Sequence, residues 1–421
     1  MLDFLRKLFG QKLINYYHLA MAIIANFVYG FPSRKLHVIG VTGTDGKTTT
    51  VNMIASILRA ANLPTAHLST VNAQIGEQIY DTGLHTTTPS SFLLQKLIHR
   101  AVRAGAQYLV LETTSHALDQ YRTWGINFET AVITNVSHEH LDYHKDLQGY
   151  MAAKARLLKN ANYRILNLDD ESFEFFSTSP SIPPLSRGGK LLTYGFSSKA
   201  NVWAGDIEES LTQTKFIART AIKEIPVLLN LPGKFSVYNA LAAIAAVQIY
   251  GVAAEAVIAG LANVKAIPGR LEMIAGGAMV DFAHTPNAIE NLLSFLRPKI
   301  AGKIIHVFGA AGERDQSKRP LMGGASDKFA DMIILTREDN RSEKVEEICR
   351  QIAKGIIRKK KDEAYYIIPD RREAIRIALQ KSSAGDLVVI TGKGHEQSLN
   401  IDGVETPWDD RKIVREVVSS K

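Results

Sequence analysis

Apolar residues in this chain gather into short unbroken runs, and between the runs they recur at helical spacing. Residues 37–41 form one such run, the mark of a strand buried on both faces. It leads into Thr42-Gly43-Thr44-Asp45-Gly46-Lys47-Thr48, and from Thr49 to about Ala61 the pattern turns helical. Further along, 93–104 predicts a helix, 108–111 a strand ending at Glu112, and 130–134 a strand ending at Asn135. A helix over 150–159 and a strand over 164–167 follow. Strands alternating with helices predict a parallel sheet covered on both faces. Residues 168–230 alternate more finely and carry Pro180, Pro183, Pro184, Gly188 and Gly189, which predicts an antiparallel patch at that domain's edge. Pro232-Gly233 breaks the chain before an Ala-rich helix from Ser236 to about Gly251. A second series starts near Pro268-Gly269, with strands at 279–282, 304–308, 332–335, 366–368 and 387–391.

The chain has 421 residues, more than one ordinary domain. The expected fold class is α/β. Residues 36–268 form a P-loop domain with a mostly parallel sheet, 269–421 a Rossmann-like α/β domain, and 1–35 a helical extension. With 46% apolar and 22% charged residues, wholesale disorder is excluded. A net charge of +8 suits an anionic substrate, but the basic residues are spread out. No aromatic-interleaved basic stripe marks a nucleic-acid partner. The single cysteine, Cys349, excludes a disulfide framework and a Cys-based zinc ribbon. It suits a reducing, cytoplasmic setting and predicts burial on a helix.

Residues 13–31 are rich in apolar groups but carry Asn15, His18 and Asn26. A membrane span needs about 20 mostly apolar residues, and no small-residue cleavage site marks a signal peptide. The stretch is expected to pack on the domain as an amphipathic or buried helix. The competing reading is a peripheral membrane contact through residues 1–31, made by Phe4, Leu8 and Phe9 with Arg6, Lys7 and Lys12 nearby. The charge run 358–363 is expected to be a solvated helix end. A monomer is expected.

The candidate chemistry starts at the 43–48 loop. A strand, a tight loop and a helix N-terminus make a cradle of inward-pointing N–H groups that favours phosphate. Lys47 adds a cation for the β/γ-phosphates, and Thr48 offers a hydroxyl to Mg²⁺. The general pattern has Gly five residues before Gly46, where this chain has Val41, so the loop is a variant. Glu112, at a strand end, is a carboxylate suited to the phosphate-bridging Mg²⁺. His138 and His140 lie two apart, so an extended backbone sends them in opposite directions and one faces a metal.

Several segments occur in order: Gly43-Thr44-Asp45-Gly46-Lys47-Thr48, Glu112-Thr113-Thr114-Ser115-His116-Ala117-Leu118, His138-Glu139-His140-Leu141-Asp142-Tyr143-His144 and Tyr150-Met151-Ala152-Ala153-Lys154. Pro268-Gly269-Arg270-Leu271-Glu272, Asp281-Phe282-Ala283-His284-Thr285-Pro286, Gly312-Glu313-Arg314-Asp315 with Lys318-Arg319-Pro320, and Gly392-Lys393-Gly394-His395-Glu396 complete the series. Over residues 36–421 this resembles the Mur ligase superfamily, the ATP-dependent amino acid-adding enzymes of peptidoglycan synthesis, and most of all its MurE branch, the tripeptide synthetases.

The resemblance implies a role for each matching residue. Gly43, Thr44, Asp45, Gly46, Lys47, Thr48 and Thr49 would hold ATP, joined by Asn239, Arg270 and Asp281. Thr48 and Glu112 would bind one Mg²⁺, and His140 a second. Lys154 matches a lysine that is carbamylated in the family; carbamylation turns a cation that repels Mg²⁺ into an anion that ligates it. Lys47, Glu112, His140 and Lys154 are thus the implied catalytic set. Thr87, Thr88, Thr114, Gln120 and Arg122 would contact the muramoyl dipeptide. Arg314, Asp339, Arg341, Gly392 and Glu396 would line the amino acid pocket. Here Glu338-Asp339-Asn340-Arg341 stands where the family has Asp-Asn-Pro-Arg. Arg341 can fork onto a distal carboxylate, which favours meso-diaminopimelate over L-lysine.

The activity implied is an ATP-dependent amide ligase acting on a UDP-MurNAc-L-Ala-D-Glu-type precursor through an acyl phosphate. The family normally opens with a domain that grips uridine diphosphate, and about 35 residues before the loop strand are too few for one. Another Mur-type ligase with a different, lipid-linked acceptor is therefore a competing reading, as is a folylpolyglutamate-synthase-like enzyme. A silent nucleotide-binding scaffold is the competing reading outside enzymes. The presence of Lys47, Glu112, His140 and Lys154 together stands against it.

Overall fold

The computed structural model describes residues 2–80, 88–137, 139, 141–264 and 268–420, with the backbone alone for 2–10, 141 and 142. Thr87, His138 and His140 lie outside the described residues. The chain divides into two compact units, 1–136 with 146–265, and 137–145 with 266–421.

The first unit opens with α1 (Leu2–Tyr29), β1 (His37–Thr42) and α2 (Lys47–Ala60). β2 (Thr65–Leu68), β3 (Ala73–Ile75), β4 (Gln78–Tyr80), α3 (Ser91–Arg103), β5 (Tyr108–Glu112), α4 (Ser115–Asp119) and β6 (Thr130–Ile133) follow. The short α5 (Leu141–His144) belongs to the second unit. Then come α6 (Leu147–Ala155), β7 (Tyr163–Asn167), α7 (Phe173–Thr178), β8 (Lys190–Gly195), β9 (Val202–Glu209), β10 (Thr214–Thr220), β11 (Glu224–Leu229), α8 (Lys234–Val247) and α9 (Ala254–Ala262). The strands build one sheet in the order β11-β10-β9-β8-β7-β6-β1-β5-β2-β3-β4.

From β2 across to β9 the pairing is parallel. That places the C-terminal ends of β1, β5 and β6 side by side, where open α/β sheets gather their ligands. The fine alternation after residue 168 is antiparallel in β9, β10 and β11 only. β8 instead extends the parallel run, with Ile165 opposite Leu192.

One sheet face is covered by α2, α8 and α9, which bury Ile54, Ile57, Leu241 and Val257. Each such side chain contributes roughly 1.5–3 kcal/mol. Gly260 lets α9 close on α2, since a Cβ there would lie 2.4 Å from the Ile57 Cα. The other face is covered by α3, through Leu94, Leu97 and Ile98.

α1 packs against α3, with Ile14, Ala22, Ala25 and Asn26 buried. Its other face exposes Leu13, Tyr16, Tyr17, Ile24, Phe27 and Val28. Among the described residues no helix is long and apolar enough to cross a membrane. Asn15 donates to the Asp119 carboxylate at 3.0 Å, and Asn26 donates to the Trp124 carbonyl at 2.7 Å. The helix is therefore tied to residues 119–125 at two points, because a buried amide side chain must find polar partners.

The second unit continues with β12 (Glu272–Ile274), β13 (Ala278–Val280), α10 (Pro286–Leu296), β14 (Ile304–Phe308), α11 (Lys318–Phe329), β15 (Met332–Leu335), α12 (Val345–Ala353), β16 (Tyr365–Ile367), α13 (Arg371–Lys381), β17 (Leu387–Ile390), β18 (Ser398–Ile401), β19 (Val404–Pro407) and α14 (Asp410–Ser419). Its sheet runs β12-β13-β17-β14-β15-β16, parallel except for β12. β18 and β19 make a separate hairpin. Arg371 and Asp410 form a fully buried ion pair, Nη2 to Oδ2 at 2.6 Å.

Cys349 is fully buried on α12, and burial pushes its thiol up to about 12. The charge run after α12 is not a helix end. α12 stops at Ala353, and Lys359 turns inward onto Asp327 at 3.1 Å.

Candidate functional site

The loop between β1 and α2 is held in one conformation by the end of β6. Asn135 accepts from Thr44 N through its carbonyl at 2.8 Å and from Asp45 N through its side chain at 2.9 Å. Thr134 donates back to the Asp45 carbonyl at 2.7 Å. Gly46 takes φ 80°, a left-handed turn that starts the helix, and a Cβ there would lie 2.2 Å from Asn239 Oδ1. Glycine is required on both counts. Thr49 sits in the first turn of α2.

Lys47 folds over its own loop, donating to the carbonyls of Thr44 at 2.7 Å and Gly43 at 3.1 Å. Thr48 donates to Glu112 Oε2 at 2.9 Å, and Glu112 is 1% exposed. Thr70, between β2 and β3, donates to both Glu112 oxygens, through its N–H at 2.9 Å and its hydroxyl at 2.7 Å. Lys154 on α6 is also 1% exposed and donates to the Gly43 carbonyl at 2.6 Å, over the Tyr150 ring. Tyr150 in turn reaches the Thr44 hydroxyl at 3.2 Å.

Gly43, Thr44, Asp45, Gly46, Lys47, Thr48, Glu112, Lys154 and Asn239 therefore converge on one loop. The donor chemistry fits a magnesium ion, since a hydroxyl and a carboxylate supply the hard oxygens it takes. Among the described residues no three His, Cys, Asp or Glu side chains are grouped so as to hold a metal ion by themselves.

Next to this loop, Thr88 braces the turn from β5 into α4. Its hydroxyl donates to the Glu112 carbonyl at 3.4 Å and accepts from Thr114 N at 3.2 Å. Arg122 Nη1 donates to the Thr88 carbonyl at 2.6 Å. Thr114 caps α4 by accepting from Ala117 N, and Gln120 ends that helix.

In the second unit, Asp281 accepts from Leu271 N at 2.8 Å and from Ala283 N at 2.7 Å. Burial raises its pKa against the pull of Arg270, which lies over the Phe282 ring at 4.4 Å. Burial and Arg270 together push His395 down to about 4. Glu139, from the 137–145 segment, lies 2.9 Å from His284 Nε2. Burial pulls His284 down, and Glu139 more than offsets it, leaving that pKa raised.

Lys393 is fully buried between two carboxylates, 2.8 Å from Asp339 Oδ1 and 2.5 Å from Glu396 Oε2. Burial lowers its pKa, and the two carboxylates lift it above the ordinary lysine value. The negative charge that Asp339 adds relative to Asn is thus met by a cation. Gly392, at φ 105°, leaves room for Glu338, whose Oε2 would lie 2.4 Å from a Cβ there. Burial, then Asp339, raises the Glu338 pKa. Arg341 donates to the Gly312 carbonyl at 3.0 Å from a left-handed backbone, while Arg314 is exposed.

Sequence reasoning assigned no role to Thr70, Asn135, Glu338 or Lys393. Lys393 stood inside a quoted motif, whereas Thr70 carries no local signal.

The Mur ligase middle domain matches residues 41–247, and the Mur ligase, glutamate ligase domain matches 269–394. The chain is 40% identical over 405 residues to the UDP-N-acetylmuramoyl-L-alanyl-D-glutamate--2,6-diaminopimelate ligase of Caldanaerobacter subterraneus subsp. tengcongensis, covering 95% of this chain and 82% of that one. A solved structure of a ligase with the same name aligns at a TM-score of 0.62 and 34% identity, over 91% of this chain and 78% of that one. The folylpolyglutamate synthase of Mycobacterium tuberculosis aligns at 0.72 over 89% and 92%, at 18% identity, a likeness of fold alone.

Proposed function

This chain belongs to the Mur ligase family of ATP-dependent, Mg²⁺-using ligases, and we propose that it adds a diamino acid to UDP-N-acetylmuramoyl-L-alanyl-D-glutamate, with 2,6-diaminopimelate preferred over lysine. The observation that carries this reading is the single cluster at the β1–α2 loop: Lys47 over the loop carbonyls, Thr48 on Glu112, and Lys154 on Gly43. The relatives' names supply the substrate.

ATP enters the cradle, and Lys47 exchanges two loop carbonyls for phosphate oxygens. The α2 N-terminus and loop amides stabilise charge as the γ-phosphoryl passes to the acceptor carboxylate, giving an acyl phosphate and ADP. The incoming amine attacks that carbonyl, phosphate leaves, and the amide forms with loss of a proton. Thr88, Thr114, Gln120 and Arg122 orient the acceptor. Arg341 takes the distal carboxylate of the diamino acid, and Asp339, Gly392, Glu396 and Arg314 line its pocket. Asn239, Arg270 and Asp281 steady the nucleotide.

Thr48 and Glu112 would hold one Mg²⁺, and His140 with a carbamylated Lys154 a second. When bound, the metal supplies Lewis-acid neutralisation of phosphate charge. The domain division 1–35, 36–268 and 269–421 is retained in this reading. So are a monomer and a cytoplasmic location, the latter in keeping with the free thiol of Cys349. The exposed apolar face of α1 supports peripheral contact with a membrane surface.

The test is phosphate release with ATP and UDP-MurNAc-L-Ala-D-Glu, with and without diaminopimelate or lysine. Release that needs both acceptor and amino acid is expected. Release that needs neither, or none under any pairing, overturns the reading.

A further inference from the structure

Deep in the second unit, Arg371 and Asp410 each open a helix: Arg371 is the first residue of α13 and Asp410 the first of α14. A helix N-terminus favours an anion, so Asp410 suits its place and Arg371 does not. Both side chains are fully buried. A buried ion pair adds little stability over apolar residues of similar volume. Breaks in local rules concentrate at functional sites, and what the guanidinium reaches supplies the reason for this one.

Arg371 spreads its donors over three partners. Nε and Nη2 donate to the two Asp410 oxygens at 2.8 and 2.6 Å. Nη2 also donates to the Thr391 carbonyl at 2.9 Å, and Nη1 donates to the Arg337 carbonyl at 3.1 Å. β17 stops at Ile390 and β15 at Leu335, so both carbonyls lie past the ladder and need donors from elsewhere. A planar guanidinium serves a carboxylate and two carbonyls at fixed angles, whereas an ammonium on a flexible stem fixes no such angles. Asp410 is braced in turn, since Trp408 Nε1 donates to it at 2.8 Å and the Trp408 N–H donates to the Gln397 carbonyl at 2.9 Å.

The amino acid pocket hangs from these two strand ends. Arg337 leads directly into Glu338-Asp339-Asn340-Arg341, and Thr391 leads into Gly392-Lys393-Gly394-His395-Glu396. The two loops meet where Lys393 lies 2.8 Å from Asp339. Charge follows the same path: burial pulls the Arg371 pKa down, and Asp410, Glu338 and Asp339 more than offset it. Sliding one strand end against the other would change the distance from Arg341 to Glu396, and a misplacement of about 1 Å is enough to cost about a hundredfold in rate.

We propose that Arg371, held by Asp410, is a positioning residue for the incoming diamino acid: it fixes the spacing of the β15 and β17 ends and so the fit of the pocket between their loops. The inference rests on the pocket assigned under the proposed function. It goes beyond that reading by naming what sets the pocket's dimensions from outside it.

The test uses the full chain in two variants. Arg371→Lys keeps a cation for Asp410 but loses the fork. Arg371→Met with Asp410→Val removes the pair and leaves no buried charge behind. In both, the KM for diaminopimelate should rise about tenfold, and the preference for diaminopimelate over lysine should shrink. The KM values for ATP and UDP-MurNAc-L-Ala-D-Glu should stay unchanged. A purely structural role predicts otherwise, since a partly unfolded sample lowers kcat with every amino acid and moves no KM.

Folded variants with an unchanged KM for diaminopimelate overturn the inference and leave the ligase reading standing. Should neither variant fold, amide exchange in the unaltered protein decides. Coupling is reciprocal, so diaminopimelate should slow exchange in the first turns of α13 and α14, and protection confined to residues 338–341 and 392–396 overturns the inference. If the unaltered protein ligates nothing, the ligase reading falls, and calorimetry with diaminopimelate alone decides. Binding weakened about tenfold in the variants upholds the positioning role, and no binding to the unaltered protein overturns it.

Discussion

Two buried lysines, one in each unit, show how differently a protein can keep a cation out of water. Lys393 lies between Asp339 and Glu396, so its ammonium is matched by full charges at 2.8 and 2.5 Å. Lys154 donates to the Gly43 carbonyl at 2.6 Å and lies over a ring, contacts made by a dipole and a quadrupole. A pair of carboxylates locks the proton on, as the raised pKa of Lys393 reflects. The carbonyl and the ring meet Lys154 through partial charges, and the carbamylation proposed above requires that amine first to lose its proton. The first lysine is held as a cation, whereas under the proposed function the second is converted.

The sharpest way to break this contrast is to remove each amine. Lys154→Ala should cut ligation by about a thousandfold, with partial recovery on adding short carboxylates, measured by phosphate release. Activity close to that of the unaltered protein would end the idea of conversion. Lys393→Met should act on stability. Leaving buried Asp339 and partly buried Glu396 without their cation costs about 3–5 kcal/mol, seen as faster amide exchange in β14 and β17.

Gly46→Ala tests the loop beneath Lys154. The left-handed turn and the 2.2 Å approach to Asn239 should together weaken ATP binding by about 2 kcal/mol, read by calorimetry. The smallest effect concerns Glu338. Its pKa is raised above the usual 4.5, so the folded unit binds that proton more tightly than the unfolded chain. Its contribution to stability is complete below pH 4.5 and is lost as pH rises through the raised value. Glu338→Gln should flatten that slope, seen in urea unfolding at pH 5 and pH 8.

Much of this was legible in the chain, for physical reasons that differ by element. The strand at 304–308 and that at 332–335 were readable to the residue because fully buried parallel strands are unbroken apolar runs. The β1–α2 loop was readable because a phosphate cradle is built from one contiguous stretch. β2 was not, since four buried residues carry too little periodicity to separate strand from helix. β8 was misjudged because a strand just after a Gly- and Pro-rich stretch shows its neighbours' alternation, while the partner it pairs with is set by tertiary packing. Thr70 reaches Glu112 from a loop distant in sequence, and nothing local announces such a bond. Lys393 was visible as a letter in a motif that also holds Glu396, but Asp339 becomes its neighbour only when β15 and β17 lie in one sheet.

Cys349 offers the chain its own stopwatch. A thiol sealed inside α12, and reluctant to ionise, cannot meet a maleimide until the second unit opens. With no other cysteine to compete, the rate of labelling becomes a clock for that unit alone, while the first stays silent. Adding each substrate in turn and timing the label would reveal which of them closes the door.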